Sequence, residues 1–191
     1  MSLKKRGGKS IAIALVGISI TTPTLNTVSA MELDTVTNNS NLEISMNDLS
    51  LTDLTQYYSD RNINFTEKQN SNGDVEIIFS DAEIYNEAKK EGYSIDTPME
   101  RANGVNKIVW RKDGGFNLYI SKNTLLLVSG AGIGAITFLL APFAPATVAI
   151  ISSAISMVIG GNISDGRVFR FDKVKVGKYN YKYVYIKSWK Q

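Results

Sequence analysis

The chain has 191 residues, 43% of them hydrophobic, with 21 Lys and Arg against 18 Asp and Glu and a formal net charge of +3. It contains no cysteine and no histidine. That excludes disulfides, thiol nucleophiles, thiolate metal sites and a lipid-modified N-terminal Cys, together with the imidazole bases and ligands on which much enzyme chemistry depends.

The first thirty residues read as a secretory signal peptide. Lys4, Lys5, Arg6 and Lys9 precede the apolar core Ile11 to Ile20, and Val28-Ser29-Ala30 offers small residues for cleavage at Ala30. The core is too short to span a bilayer comfortably, which sets an uncleaved anchor as the weaker reading. The expectation is a secreted chain that begins near Met31. A cysteine-free product behind a basic, Thr-rich signal leans towards a Gram-positive bacterium.

Beyond the signal, charge divides the chain. Residues 31–100 hold 15 acidic and 4 basic side chains, whereas residues 101–191 hold 13 basic and 3 acidic. Such a contrast points to contact with an anionic surface, or to one half masking the other. Residues 31–71 are polar and are expected to be flexible, with a short helix possible around Leu49 to Leu54. In 72–100, Asn72-Gly73 is a turn, Val75 to Phe79 a strand, and Ser80-Asp81-Ala82-Glu83 a capping box that starts a helix ending at Gly92. This acidic strand–helix segment is a candidate pro-region.

Residues 101–191 are predicted to form a cationic domain. Lys107 to Trp110 and Phe116 to Ile120 flank Lys112-Asp113-Gly114-Gly115 as a β-hairpin. From Asn123 to Ser164 there follow 42 residues without a charge. Thr124 to Leu140 and Thr147 to Gly161 read as two helices around the turn Pro142 to Pro145, a hydrophobic helical hairpin over 124–161. Val168 to Val176 and Tyr179 to Trp189 read as a basic β-hairpin, with Tyr179, Tyr181, Tyr183 and Tyr185 on one face. The fold class is therefore α+β.

Little here carries enzyme chemistry, and no cofactor, metal site or catalytic residue is expected. Asp81 with Glu83 or Glu87 could pair as carboxylates, but acids at a helix start ordinarily meet the helix dipole. Gly130-Ala131-Gly132-Ile133-Gly134 lacks the spacing of a dinucleotide fingerprint. Gly130 with Gly134, and Ser156 with Gly160, would instead let helix backbones approach closely, in lipid or in a soluble core.

The candidate membrane-inserting residues are Leu125, Leu126, Leu127, Gly130, Gly134, Phe138, Leu139, Leu140, Pro142, Phe143, Pro145, Ile150, Ile151, Ile155 and Gly160. Candidates for the membrane surface are Lys173, Lys175, Lys178, Tyr181, Lys182, Tyr183, Tyr185, Lys187 and Trp189. Lysines attract anionic headgroups, and amphipathic rings favour the interface. An ordinary half-buried β-hairpin accounts for the same tail, and nucleic acid is an unsuitable partner for an exported protein.

Asn103 to Trp110, then Leu118 to Lys122, the Gly/Ala-rich apolar block, and Gly166-Arg167-Val168-Phe169 together resemble a layout of small secreted Firmicutes proteins, some grouped with large unmodified bacteriocins of the geobacillin type. The resemblance covers about residues 103–175. It implies a secreted antibacterial protein with a hydrophobic centre, and supplies no catalytic residues.

The expected function is thus membrane-active and bacteriocin-like: binding to anionic bacterial membranes followed by insertion of the Gly-rich hairpin. Self-association and a cognate immunity protein are the partners such an activity calls for. The alternative is a non-enzymatic secreted binding or immunity-like protein whose hairpin is buried core.

Overall fold

A computed structural model describes residues 49–94, 104–178 and 180–191. The described residues all belong to one compact unit within 43–191. The expected signal peptide with Ala30, and the stretch 95–103 where the charge sign changes, lie outside them.

In chain order the elements are α1 (Leu51–Asp60), β1 (Thr66–Gln69), β2 (Val75–Phe79), α2 (Asp81–Lys90), β3 (Asn106–Trp110), β4 (Phe116–Ile120), α3 (Lys122–Ala131), a 3₁₀ turn (Ile133–Ile136), α4 (Thr137–Leu140), α5 (Pro145–Ile159), β5 (Arg167–Val176) and β6 (Asn180–Lys190). The strands form one six-stranded antiparallel sheet in the order β1-β2-β3-β4-β5-β6. The fold is α+β.

Alternation along the strands separates two faces. Ile77, Ile108, Leu118 and Phe169 stand opposite one another in register, as do Trp110, Phe116 and Phe171 one step along. This face joins the helices in a single core with Leu54, Tyr58, Ile84, Leu125, Ile136, Leu140 and Ile151. Glu76, Lys107, Asn117, Tyr119, Arg170 and Asp172 occupy the other face, where Lys107 bonds Glu76 at 2.9 Å and lies 4.7 Å from the centre of the Tyr119 ring.

Several elements follow their local signals. Gly73 and Gly114 take the positive φ their hairpin turns require. The Ser80 side chain accepts from the Glu83 backbone N–H, so that half of the capping box forms. The Glu83 carboxylate, however, turns to Asn64, accepting from its backbone and side chain at 3.0 and 3.2 Å.

Three expectations need correction. The described part of 31–71 is ordered: Ser50 and Asp53 make a full capping box that starts α1, and Leu54 and Tyr58 on that helix are wholly buried. The first apolar helix does not run from 124 to 140. It stops at Gly132, whose φ of 86° and ψ of 171° no helix contains, and the chain continues as a 3₁₀ turn and the short α4. Gly130 and Gly134 consequently lie on different elements and form no packing face. A Cβ at Gly130 would meet nothing within 4 Å, whereas one at Gly134 would collide with the Tyr93 hydroxyl. Of the two expected apolar helices, α5 matches closely, with Pro145 at its first turn, where a missing N–H costs nothing.

The acidic segment is an integral end of this fold. β2 pairs with β3 over five positions, from Val75 opposite Trp110 to Phe79 opposite Asn106. Leu54, Tyr58, Ile63, Ile77, Phe79, Ile84 and Tyr85 are all buried in the common core. Each such side chain contributes about 1.5–3 kcal/mol, and together they match the roughly 5–15 kcal/mol of a whole domain. A fragment 101–191 is therefore expected to show no cooperative thermal transition by near-ultraviolet circular dichroism, whereas the chain from residue 31 onward melts cooperatively.

Candidate membrane-facing surface and the covered apolar block

Position along the sheet carries the charge division into space. The strand order sets β1, from the acidic half of the sequence, and β6, from the basic half, at opposite edges of the sheet, because each strand neighbours its predecessor in sequence. An anionic surface would orient it with β5–β6 foremost.

The β5–β6 end extends past the rest of the sheet. Pairing with β4 stops at Phe116 opposite Phe171, and the ladder between β5 and β6 continues for five further pairs, Asp172–Val184 to Val176–Asn180. This two-stranded arm bears Lys173, Lys175, Lys178 and Lys182. Its apolar side chains are unusually open: Val174 is 41%, Val176 43% and Tyr181 41% exposed. Lysines and exposed apolar groups alternate over a few residues, the composition that suits a headgroup–acyl boundary. The Lys173 ammonium lies 4.7 Å from the Tyr181 ring centre, a cation–π contact that holds the two together.

A register shift separates the roles of the expected surface residues. Arg170 stands opposite Lys187, but Phe171 stands opposite Tyr185, so Ile186 is an extra residue in β6. Tyr181, Tyr183 and Tyr185 therefore share the core face, whereas Lys187 and Trp189 share the outer one with Arg170 and Val168. Tyr183 is 9% exposed and sits 5.1 Å from Phe116 and 6.4 Å from Trp110, while Tyr185 packs 5.8 Å from Phe171. Tyr183 is thus a core residue and not a surface residue, which corrects the expectation for it, and Tyr185 is half-buried against the core. Lys175, Lys178, Tyr181, Lys182, Lys187 and Trp189 are exposed. Tyr179 lies outside the described residues.

The base of the arm is fixed by charge. Asp172 pairs with the Arg111 guanidinium and with Arg170 Nε at 2.9 Å. Partial burial acts to raise the Asp172 carboxyl, but the hydrogen bonds from Arg170 and Arg111 outweigh it and hold the group below its ordinary value.

The residues expected to insert into membrane are covered. Leu125, Leu127, Phe138, Leu139, Leu140, Phe143, Ile151 and Ile155 are buried in the core, and Leu126, Gly134, Pro142 and Ile150 are half-buried. Gly130, Pro145 and Gly160 are exposed. Among the described residues no helix is long and apolar enough to cross a membrane.

A buried polar cluster fastens the beginning of this block. The Asp81 carboxylate, at the first residue of α2, accepts from Asn106 Nδ2 at 2.6 Å, Ser121 Oγ at 2.6 Å and Asn123 Nδ2 at 2.7 Å. Ser121 is the N-cap of α3, accepting from the Thr124 N–H at 3.1 Å, and its own N–H donates to Asn106 Oδ1. Asn106, Ser121, Asn123 and Thr124 are all buried. One carboxylate thereby joins the start of α2, strand β3 and the cap of α3. Further along, the buried Tyr58 hydroxyl donates to the Leu139 carbonyl at 2.8 Å, and burial keeps that phenol protonated by pushing its pKa well up.

These groups offer little to a reactant. Asp81 borders a shallow open pocket of about 200 Å³ and is the single ionisable side chain of its lining, but its oxygens are engaged by the three donors. Among the described residues no three His, Cys, Asp or Glu side chains are grouped to hold a metal ion. Sequence reasoning assigned Asp81 to the helix dipole and overlooked Asn106, Ser121 and Asn123. Their separations of 25, 40 and 42 residues leave no local signal. Comparison with protein-family models, curated proteins and solved structures finds no match.

A test of the arm's anchor follows from the sign of the Asp172 shift. A carboxyl depressed in the folded state stabilises fully above its unfolded pKa of about 3.9, and that contribution is lost as pH falls through the lower folded value. Asp172→Asn should lower the melting temperature at pH 6, and the difference from the parent should shrink in melts recorded at progressively lower pH below about 4.

Proposed function

We propose that the chain is a secreted, membrane-active antibacterial protein of bacteriocin type, which docks on anionic bacterial membranes with the β5–β6 end of its sheet. The observation that carries this reading is the projecting arm. It places Lys173, Lys175, Lys178 and Lys182 beside the exposed Val174, Val176 and Tyr181, at the edge of the sheet opposite β1. In this reading the block 122–161 is core in solution and enters the membrane only after docking, when lipid replaces the sheet as its apolar surroundings. A producing cell would then need a cognate immunity protein.

Docking is tested with lipid vesicles. The protein should bind vesicles containing phosphatidylglycerol and leave pure phosphatidylcholine vesicles largely free. At about 1 kcal/mol per lysine, replacing Lys175, Lys178, Lys182 and Lys187 together by Gln should weaken binding roughly a thousandfold at low salt. Equal affinity for both lipids, or none for either, would refute the proposal.

The burial of Leu125, Leu127, Leu140 and Ile151 favours a second reading, a non-enzymatic secreted binding or immunity-like protein whose apolar block never leaves the core. Ser153 is exposed on α5, and the chain has no cysteine, so Ser153→Cys accepts a single fluorophore. Quenching of that probe by lipid-borne quenchers supports insertion. A probe that stays in water while the protein is vesicle-bound supports the binding protein.

A further inference from the structure

The apolar block is tied down by the half of the chain that carries the opposite charge. Three polar bonds reach it from α1 and α2. Asp81 accepts from Asn123 at 2.7 Å, Tyr85 donates to the Asn123 carbonyl at 3.3 Å, and Tyr58 donates to the Leu139 carbonyl at 2.8 Å. Asp81 also accepts from Ser121, the cap on which α3 begins. The two attachment points bracket the break at Gly132: one lies at the start of α3 and the other near the end of α4.

We infer that α1 and α2 form a clamp that regulates release of the apolar block, with Asp81 as the catch at its start and Tyr58 as the catch at its middle. This inference rests on the membrane-active reading above and adds to it the step that precedes insertion.

The physical basis is the difference between the two kinds of contact that hold the block. Apolar contacts with the sheet are non-directional, and a lipid interior supplies an equivalent environment, so they offer little resistance to transfer. The Asp81 bonds, half-buried, and the Tyr58 bond, fully buried, are directional and short, and lipid cannot replace them; leaving them unmade is costly. Resistance to release is therefore concentrated in a few polar atoms of 49–94. The positive-φ Gly132 between the two catches lets α3 and α4 part separately.

The clamp is tested on the full chain, first without any membrane. Amide hydrogen exchange is compared among the parent, Asp81→Asn, Tyr58→Phe and Ile77→Val, the last being a mild destabilisation of the same core away from both catches. Asp81→Asn should accelerate exchange tenfold or more across residues 122–131, and Tyr58→Phe across 137–140, with β3, β4 and β5 changing no more than in Ile77→Val. Uniform acceleration through sheet and helices, or none, overturns the clamp. Dye release from phosphatidylglycerol vesicles is then measured at equal bound protein. Both catch variants should release dye faster than Ile77→Val, by about the ratio of their exchange rates. Release no faster than Ile77→Val overturns the regulatory role. If no variant releases dye, the membrane-active reading fails, while the exchange data decide the clamp by themselves.

Discussion

A stretch of 42 uncharged residues can remain in water only where folded protein covers it, and the rest of the molecule follows from that need. The sheet supplies the area. Ile77, Ile108, Leu118 and Phe169 present a continuous apolar row, and α3, α4 and α5 lie against that face of the sheet. Direction comes from the half-buried carboxylate of Asp81. Apolar surfaces slide, whereas three short hydrogen bonds from Asn106, Ser121 and Asn123 admit one arrangement of β3, α2 and the start of α3. The cluster is fully engaged with its own donors, which is the mark of a structural join more than of a reactive site.

The second organising fact is the order of the strands. A meander keeps residues near in sequence near in space, so the acidic and basic halves become two ends of one sheet. The acidic half contributes Leu54, Tyr58, Ile77 and Ile84 to the common core. Its polar bonds to the apolar block come from α1 and α2, through Tyr58, Asp81 and Tyr85. On the basic end, Asp172 beside Arg111 and Arg170 anchors the root of the arm, and the lysines beyond it share the arm with exposed valines and a tyrosine.

Elements with local causes were legible. The turns at Gly73 and Gly114, the cap at Ser80, the stop at Gly92 and the Pro145 start each depend on residues within a few positions. So did both β-hairpins of the C-terminal half. What escaped depends on partners far along the chain or on a single irregularity. Tyr58 meets Leu139 across 81 residues, and the Asp81 donors come from three separate segments. The break at Gly132 was masked because a glycine in an apolar run reads equally as packing or as a stop. An extra residue at Ile186 reverses the faces of β6, so Lys187 and Trp189 lie opposite the face shared by Tyr181, Tyr183 and Tyr185, which strict alternation does not show. For the candidate site, Lys175, Lys178, Lys182 and Lys187 are exposed, whereas the burial of the helical residues depends on the sheet order, which no local pattern encodes.

The position of the apolar block within the chain has a consequence for how the protein is made. α1, β1, β2, α2, β3 and β4 all precede Lys122, so the Tyr58 hydroxyl, the Asp81 carboxylate and two thirds of the sheet emerge before the first residue of the block. Growing or threading from its N-terminus, the chain meets its most insoluble segment with a receiving surface already present. The reverse order would leave α3 to α5 waiting in water for a cover still to be synthesised. Vectorial emergence thus limits the time for which this chain is sticky, and a circular permutant that begins at residue 122 would forfeit that protection while keeping every contact of the finished fold.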